Sequence, residues 1–214
     1  MAQLRSFHPR VAADALLRVP ADALRNSALL LGRPARPLAT LPRERLEAHL
    51  RAALVAGEGA AGAHCIHELW MRGEFSANIE SALAALWRCA AASIPEWLPM
   101  HYFECLPTLY EIALNFTAAR RGRCNLYLVL LDFADRNRGP HGVYVGMSRY
   151  TPAQRFDQHK AGIRAAGSVL RRGIEVLIGP VLHLQRIARP EAVRIEAQLA
   201  DALRDAGLLV EGGH

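Results

Sequence analysis

The chain has 214 residues, 51% of them hydrophobic, and a net charge of +6 at neutral pH, enough apolar content to bury one good core or two modest ones. No run free of charges approaches the roughly 18 apolar residues of a membrane candidate. The amino terminus, interrupted by Arg5, Arg10, Asp14 and Arg18, lacks the apolar core of a secretory signal, so no membrane-spanning helix and a cytoplasmic location are expected.

The charge is unevenly spread. Residues 1–119 carry 11 arginines against 11 acidic residues, whereas residues 120–214 carry 15 basic residues against 9 acidic ones. A neutral half beside a basic half fits an accessory domain over 1–119 joined to a polyanion-binding domain over 120–214. Cys65, Cys89, Cys105 and Cys124 form no Cys-x-x-Cys pair and read as reduced structural thiols.

The first half reads as helix after helix. Val11–Arg18 and Ala21–Leu31 are short amphipathic candidates on either side of Pro20, followed by a proline-rich connection from Gly32 to Pro42. Pro42 then opens a helix whose Leu46, Leu50, Ala53 and Leu54 recur at helical spacing. Gly57 to Gly62 reads as a break, and a helix follows around His64–Arg72. The next helix has Ser76 or Asn78 as its cap and carries Ile79, Leu83, Leu86 and Trp87 on one side. Pro95 and Pro99 bracket a turn, and Leu106–Ala119 closes an all-helical unit.

Two clusters raise the question of a metal: His64, His67 and Glu68 on one helical face, then His101, Glu104 and Cys105. Zinc accepts histidine and cysteine ligands, but this spacing matches no established zinc pattern, and histidines beside Trp70 are expected to be packed or exposed without metal. Arg120-Arg121-Gly122-Arg123 marks the composition shift, and phosphate contact and a charged hinge are equal readings of it.

Asn125–Asp132 is a strand, an apolar run bounded by polar residues. A polar turn from Asp135 to Gly142 returns the chain antiparallel over Val143–Met147, which sets Tyr127 and Tyr144 on paired strands. Thr151, Pro152 and Gln154 compose a capping box with proline at the first helical position, and Gly162 supplies the stop. Within that helix Arg155 and His159, four apart, share a face. After a basic segment from Arg164 to Arg172, Glu175–Ile178 and Val181–Leu184 are strands or irregular apolar stretches. A final helix runs from Arg189 to Gly207, its buried side marked by Ala192, Ile195, Leu199, Ala202 and Leu203. Glu196 lies on or beside that side, where an unpaired carboxylate is costly and a metal ion would serve as partner. The last residues, Glu211 to His214, are expected to be disordered. The whole is an α+β fold: a small antiparallel sheet of about three strands flanked by helices, preceded by an all-α domain.

The second half resembles the GIY-YIG nuclease superfamily over about residues 124–214. Its first motif stands as Asn125-Leu126-Tyr127 and its second as Tyr144-Val145-Gly146. The helical pair is Arg155-x-x-x-His159, and the late glutamate is Glu196 in Arg194-Ile195-Glu196-Ala197-Gln198-Leu199. Asn125 replaces the first glycine, the loop between the tyrosines is longer than in compact members, and no clear asparagine follows Glu196. The resemblance implies phosphodiester hydrolysis in DNA with one divalent cation, Mg²⁺ or Mn²⁺, held by Glu196. Tyr127 would serve as base or orienter for the attacking water and Arg155 as stabiliser of charge on the phosphate. Tyr144 would position water or substrate, and His159 would assist proton transfer or bind phosphate. Gly146, Arg149, Lys160, Arg164, Arg171 and Arg172 are the expected nucleic-acid contacts, DNA before RNA. The helical half would serve target choice, oligomerisation or control. The alternative is a catalytically inactive nucleic-acid-binding or interaction module on the same fold.

Overall fold

The computed structural model describes residues 36–135 and 139–213. The two helices expected within the first 31 residues, and His214, lie outside the described residues. Helix α1 (Arg43–Ala56) follows Pro42 and buries Leu46, Leu50 and Ala53. Only Gly57 and Glu58 separate it from α2 (Gly59–Met71), so the expected break from Gly57 to Gly62 is largely helix. Tertiary packing explains the difference: a Cβ on Gly62 would stand 2.5 Å from Leu86 Cδ1. The small residue permits a close helix crossing, which outweighs its modest helix penalty.

Helix α3 (Ser76–Ala90) buries Ile79, Leu83 and Leu86 as expected, but Trp87 is 58% exposed. Neither Ser76 nor Asn78 caps it. Phe75 holds the cap position without a side-chain bond, while Asn78 Nδ2 donates to Glu74 Oε1 at 2.8 Å. Helix α4 (Leu106–Ala113) stops six residues short of the expected Ala119. Its terminal carbonyls are drawn aside, since His183 Nε2 donates to Ala113 O and Phe116 O, each at 3.0 Å.

Strand β1 (Asn125–Asp132) pairs antiparallel with β2 (His141–Ser148), Tyr127 lying opposite Gly146 and Val129 opposite Tyr144. Strand β3 (Gly173–Leu177) joins the other edge of β1, antiparallel. The sheet has a fourth strand, β4 (Val210–Gly212), which lies parallel to β2 and gives the order β3-β1-β2-β4. The expectations of three strands and of a disordered tail are corrected accordingly. The tail is held by contacts distant in sequence, with Gly213 N–H donating to Val145 O at 3.2 Å and Arg204 to Gly212 O at 2.8 Å. Val181–Leu184 belongs to a 3₁₀ segment, Gly179–Leu184, and not to a strand.

Between β2 and β3 come α5 (Pro152–Lys160) and α6 (Gly167–Arg172), and α7 (Arg189–Asp205) leads to β4. The α5 capping box is present in both directions, Gln154 N–H to Thr151 Oγ1 and Thr151 N–H to Gln154 Oε1, each at 3.2 Å. Strand β1 is covered on both faces, the physical reason it reads as an unbroken apolar run. Leu126, Leu128 and Leu130 join Ile195, Leu199, Trp70 and Leu106 in one large hydrophobic cluster. Tyr127, Val129 and Leu131 face the other way, onto Phe133, Val169 and Phe156. The candidate residues sit on this second, smaller face and at its margin. No helix among the described residues is long and apolar enough to cross a membrane.

Candidate functional site

The arrangement begins from strand register. Tyr127 and Gly146 are opposite each other, and Tyr144, two residues before Gly146, points to the same face. The two phenol rings close over the glycine, their centroids 6.0 Å apart. A Cβ at Gly146 would stand 2.6 Å from Tyr127 Cζ and Oη and 2.6 Å from Tyr144 Cε1. Gly146 is therefore a buried floor that lets the tyrosines meet, whereas the sequence reading cast it as a nucleic-acid contact.

Helix α5 lies against this face. His159 is 1% exposed, and its Nε2 is 2.9 Å from Tyr127 Oη. The Ala166 amide donates to its Nδ1, also at 2.9 Å. An accepting Nδ1 carries no proton, so the neutral ring holds its hydrogen on Nε2 and donates it to the Tyr127 oxygen. Burial, reinforced by the Arg155 charge, pushes this imidazole down to about 4, in keeping with a neutral donor.

Burial raises the Tyr127 phenol above its ordinary range, and Arg155 opposes that rise through its charge and a hydrogen bond. Tyr144 is also raised by burial. A hydrogen bond with Tyr127 and the Arg155 charge lower it, and the Glu196 carboxylate raises it further. Arg155 divides its remaining donors among Gln158 Oε1 at 3.1 Å, Ile163 O at 3.2 Å and Arg164 O at 2.8 Å. It thus holds the loop after α5 while its charge acts on the phenols.

Glu196 comes from α7 and is 9% exposed. Burial pushes its carboxyl up to about 7, and a hydrogen bond from the Met147 backbone only partly offsets this. It makes no salt bridge among the described residues, and the guanidinium of Arg155 does not pair with it. A nearly buried carboxylate without a cation partner is costly as an anion. That state suits a site completed by a divalent cation, since Mg²⁺ is held by one or two protein carboxylates and keeps much of its water.

Tyr127, Tyr144, Arg155, His159 and Glu196 thus act on one another in a single place. The expected nucleic-acid contacts do not gather so well. Arg149, Arg164 and Arg171 are exposed. Lys160 Nζ instead donates to Gly173 O at 3.0 Å. Arg172 grips Asp135 at 2.5 and 2.7 Å and lies 4.9 Å over the Phe133 ring. One residue the sequence reading undervalued is Asn125, which braces two loops: its Nδ2 donates to Tyr150 O and its Oδ1 accepts from the Arg186 amide, both at 2.9 Å. A polar residue in place of an expected glycine was the available signal.

The other two polar clusters have structural partners. Glu68 receives Arg36 at 2.8 Å and Arg72 at 2.6 Å. His67, pushed down to about 4 by burial, packs its ring against Trp97 and Tyr110. His101 faces Glu175 at 3.4 Å while Glu104 faces His141 at 3.6 Å. Among the described residues no group of three or more histidine, cysteine or acidic side chains could hold a metal together. Compared with family models, curated proteins and solved structures, the chain matches none.

Proposed function

We propose that the chain is a metal-dependent endonuclease of the GIY-YIG type, hydrolysing phosphodiester bonds in DNA. The observation that carries this reading is the meeting of two tyrosines over Gly146, with His159 2.9 Å from Tyr127, Arg155 acting on both phenols, and a nearly buried glutamate that makes no salt bridge among the described residues. Glu196 would hold Mg²⁺ or Mn²⁺, which when bound supplies Lewis-acid stabilisation of charge on the phosphate.

The remaining roles follow from proton placement. His159 donates Nε2–H to Tyr127 Oη, and Arg155 adds positive charge; both favour the phenolate against the burial that disfavours it. Tyr127 would serve as orienter of the attacking water while its phenol keeps its proton, or as the base that takes the water's proton once it has become phenolate. His159 acts as a fixed donor, because Ala166 occupies the nitrogen that would otherwise accept. Tyr144, its ring centroid 6.0 Å from that of Tyr127, positions water or substrate, and the planar Arg155 guanidinium meets the negative charge that develops on the phosphate. Residues 1–119 would serve target choice, oligomerisation or control.

The test is a cleavage panel over linear, nicked, flapped and single-stranded substrates with Mg²⁺ or Mn²⁺. Cleavage should vanish with chelator and in Glu196→Ala and Arg155→Ala. Activity that persists in well-folded Glu196→Ala would refute the metal assignment. A second reading, a nucleic-acid-binding module without catalysis, draws support from the backbone carbonyls that occupy much of Arg155. Salt-sensitive DNA binding with no cleavage of any substrate form would favour it.

A further inference from the structure

Five arginines gather where β1 begins. Arg120, Arg121 and Arg123 precede the strand, Arg186 and Arg189 lie on the segment entering α7, and all five are exposed. The two segments are tied together. Gly122 N–H donates to Arg186 O at 2.8 Å, and Cys124 and Ile187 exchange both backbone hydrogen bonds at 3.0 and 2.8 Å. A Cβ on Gly122 would stand 2.0 Å from Ile187 O, so only glycine admits this approach. The run from Arg120 to Arg123 is therefore a pinned edge and not a loose hinge.

Among the described residues none of the five arginines makes a salt bridge. No acidic residue occurs between Glu111 and Asp132 or between Glu175 and Glu191. Arg189 opens α7, where a cation opposes the helix dipole.

A second observation comes from the backbone. Among the described residues, two non-glycine residues have left-handed φ: Arg164 at 46° and Arg186 at 61°. Both are exposed, and glycine would hold either position at less cost. Arg186 is held there by its amide on Asn125 Oδ1 and by its carbonyl on the Gly122 amide. The Arg164 carbonyl is fixed by Arg155 at 2.8 Å. Each strained arginine is thus one hydrogen bond from a residue that shapes the site, Asn125 on the Tyr127 strand or Arg155 itself. Local strain of this kind concentrates at functional positions.

We infer that the edge formed by residues 120–123 and 186–189 docks the phosphate backbone of DNA, with Arg186 as a contact that registers the strand against the Tyr127–Glu196 site. The choice of DNA rests on the nuclease reading above; the charge and strain arguments do not.

The experiment measures binding of the full chain to a fluorescent DNA duplex in EDTA, where cleavage is silent, across a salt series. Wild type should bind with an affinity that falls steeply with salt. Arg186→Gly accepts the left-handed backbone, so its thermal midpoint should hold or rise. It should nonetheless lower the salt slope by about 0.9, which is about eightfold weaker binding at 0.1 M salt relative to a 1 M reference. The pair Arg121→Gln and Arg123→Gln should weaken binding further. Variants that bind with wild-type affinity and slope would overturn the inference, as would a defect seen only on vesicles of anionic lipid and not on DNA. Glu196→Ala separates the two proposals. Cleavage that survives in that variant, together with lost binding in the arginine variants, removes the metal assignment and leaves the docking surface standing.

Discussion

Replacing Gly146 with alanine tests whether the two tyrosines must close over a bare backbone. The added methyl would lie 2.6 Å from three ring atoms, about 0.8 Å inside the 3.4 Å of an ordinary contact. The rings cannot simply retreat, because Tyr127 is 2% exposed, packs in a cluster with Val129, Leu131 and Val169, and is tied to His159 at 2.9 Å. Overpacking of this kind costs about 2 to 3 kcal/mol, which for a chain of this size lowers the thermal midpoint by about 4 to 12 °C. Displacing Tyr127 by about 1 Å should also cut cleavage about 100-fold. Thermal unfolding followed by circular dichroism and initial cleavage rates read the two effects separately. A Gly146→Ala protein with the wild-type midpoint and wild-type cleavage would refute both the crowding argument and the role given to ring placement.

Three further outcomes are expected. Adding Mn²⁺ above pH 7 should raise the thermal midpoint of wild type but not of Glu196→Gln, because only the ionised carboxylate gains a partner in the folded state. The second concerns pH. From about pH 4.5 to 7 folded Glu196 keeps a proton the unfolded chain has lost, so its contribution to stability falls as pH rises. His67 and His159, lowered from 6.5 to about 4, stay neutral when folded and contribute the opposite slope. Glu196→Gln should therefore gain stability more steeply than wild type between about pH 4.5 and 6.5 in a series of thermal melts. Third, Glu68→Gln should destabilise by about 1 to 3 kcal/mol in denaturant titrations, since two arginines lose a charged acceptor.

Much of the candidate site was legible in order and chemistry. Tyr127, Tyr144, Arg155, His159 and Glu196 carry functional groups whose types and spacing raise the hypothesis before any fold is known, and Thr151, Pro152 and Gln154 mark the start of α5 through local backbone bonding alone. Local signals of this kind survive folding because capping and strand alternation involve residues close in sequence. The last helix was also readable, since Ala192, Ile195, Leu199 and Leu203 repeat at helical spacing and are buried.

Tertiary structure decided what depends on distant partners. Whether Gly62 interrupts a helix or admits a crossing depended on Leu86, and whether the tail forms a strand depended on Val145 and Arg204. Lys160 and Arg172 are expected nucleic-acid contacts, and only the fold brings Gly173 and Asp135 beside them. The proton position on His159 depended on Ala166, in the loop beyond α5. Sequence by itself determined which groups are present and the local elements that carry them. Only the folded chain determined their partners, because burial and hydrogen bonding set the charge state of a side chain and both are made by residues the linear order does not place together.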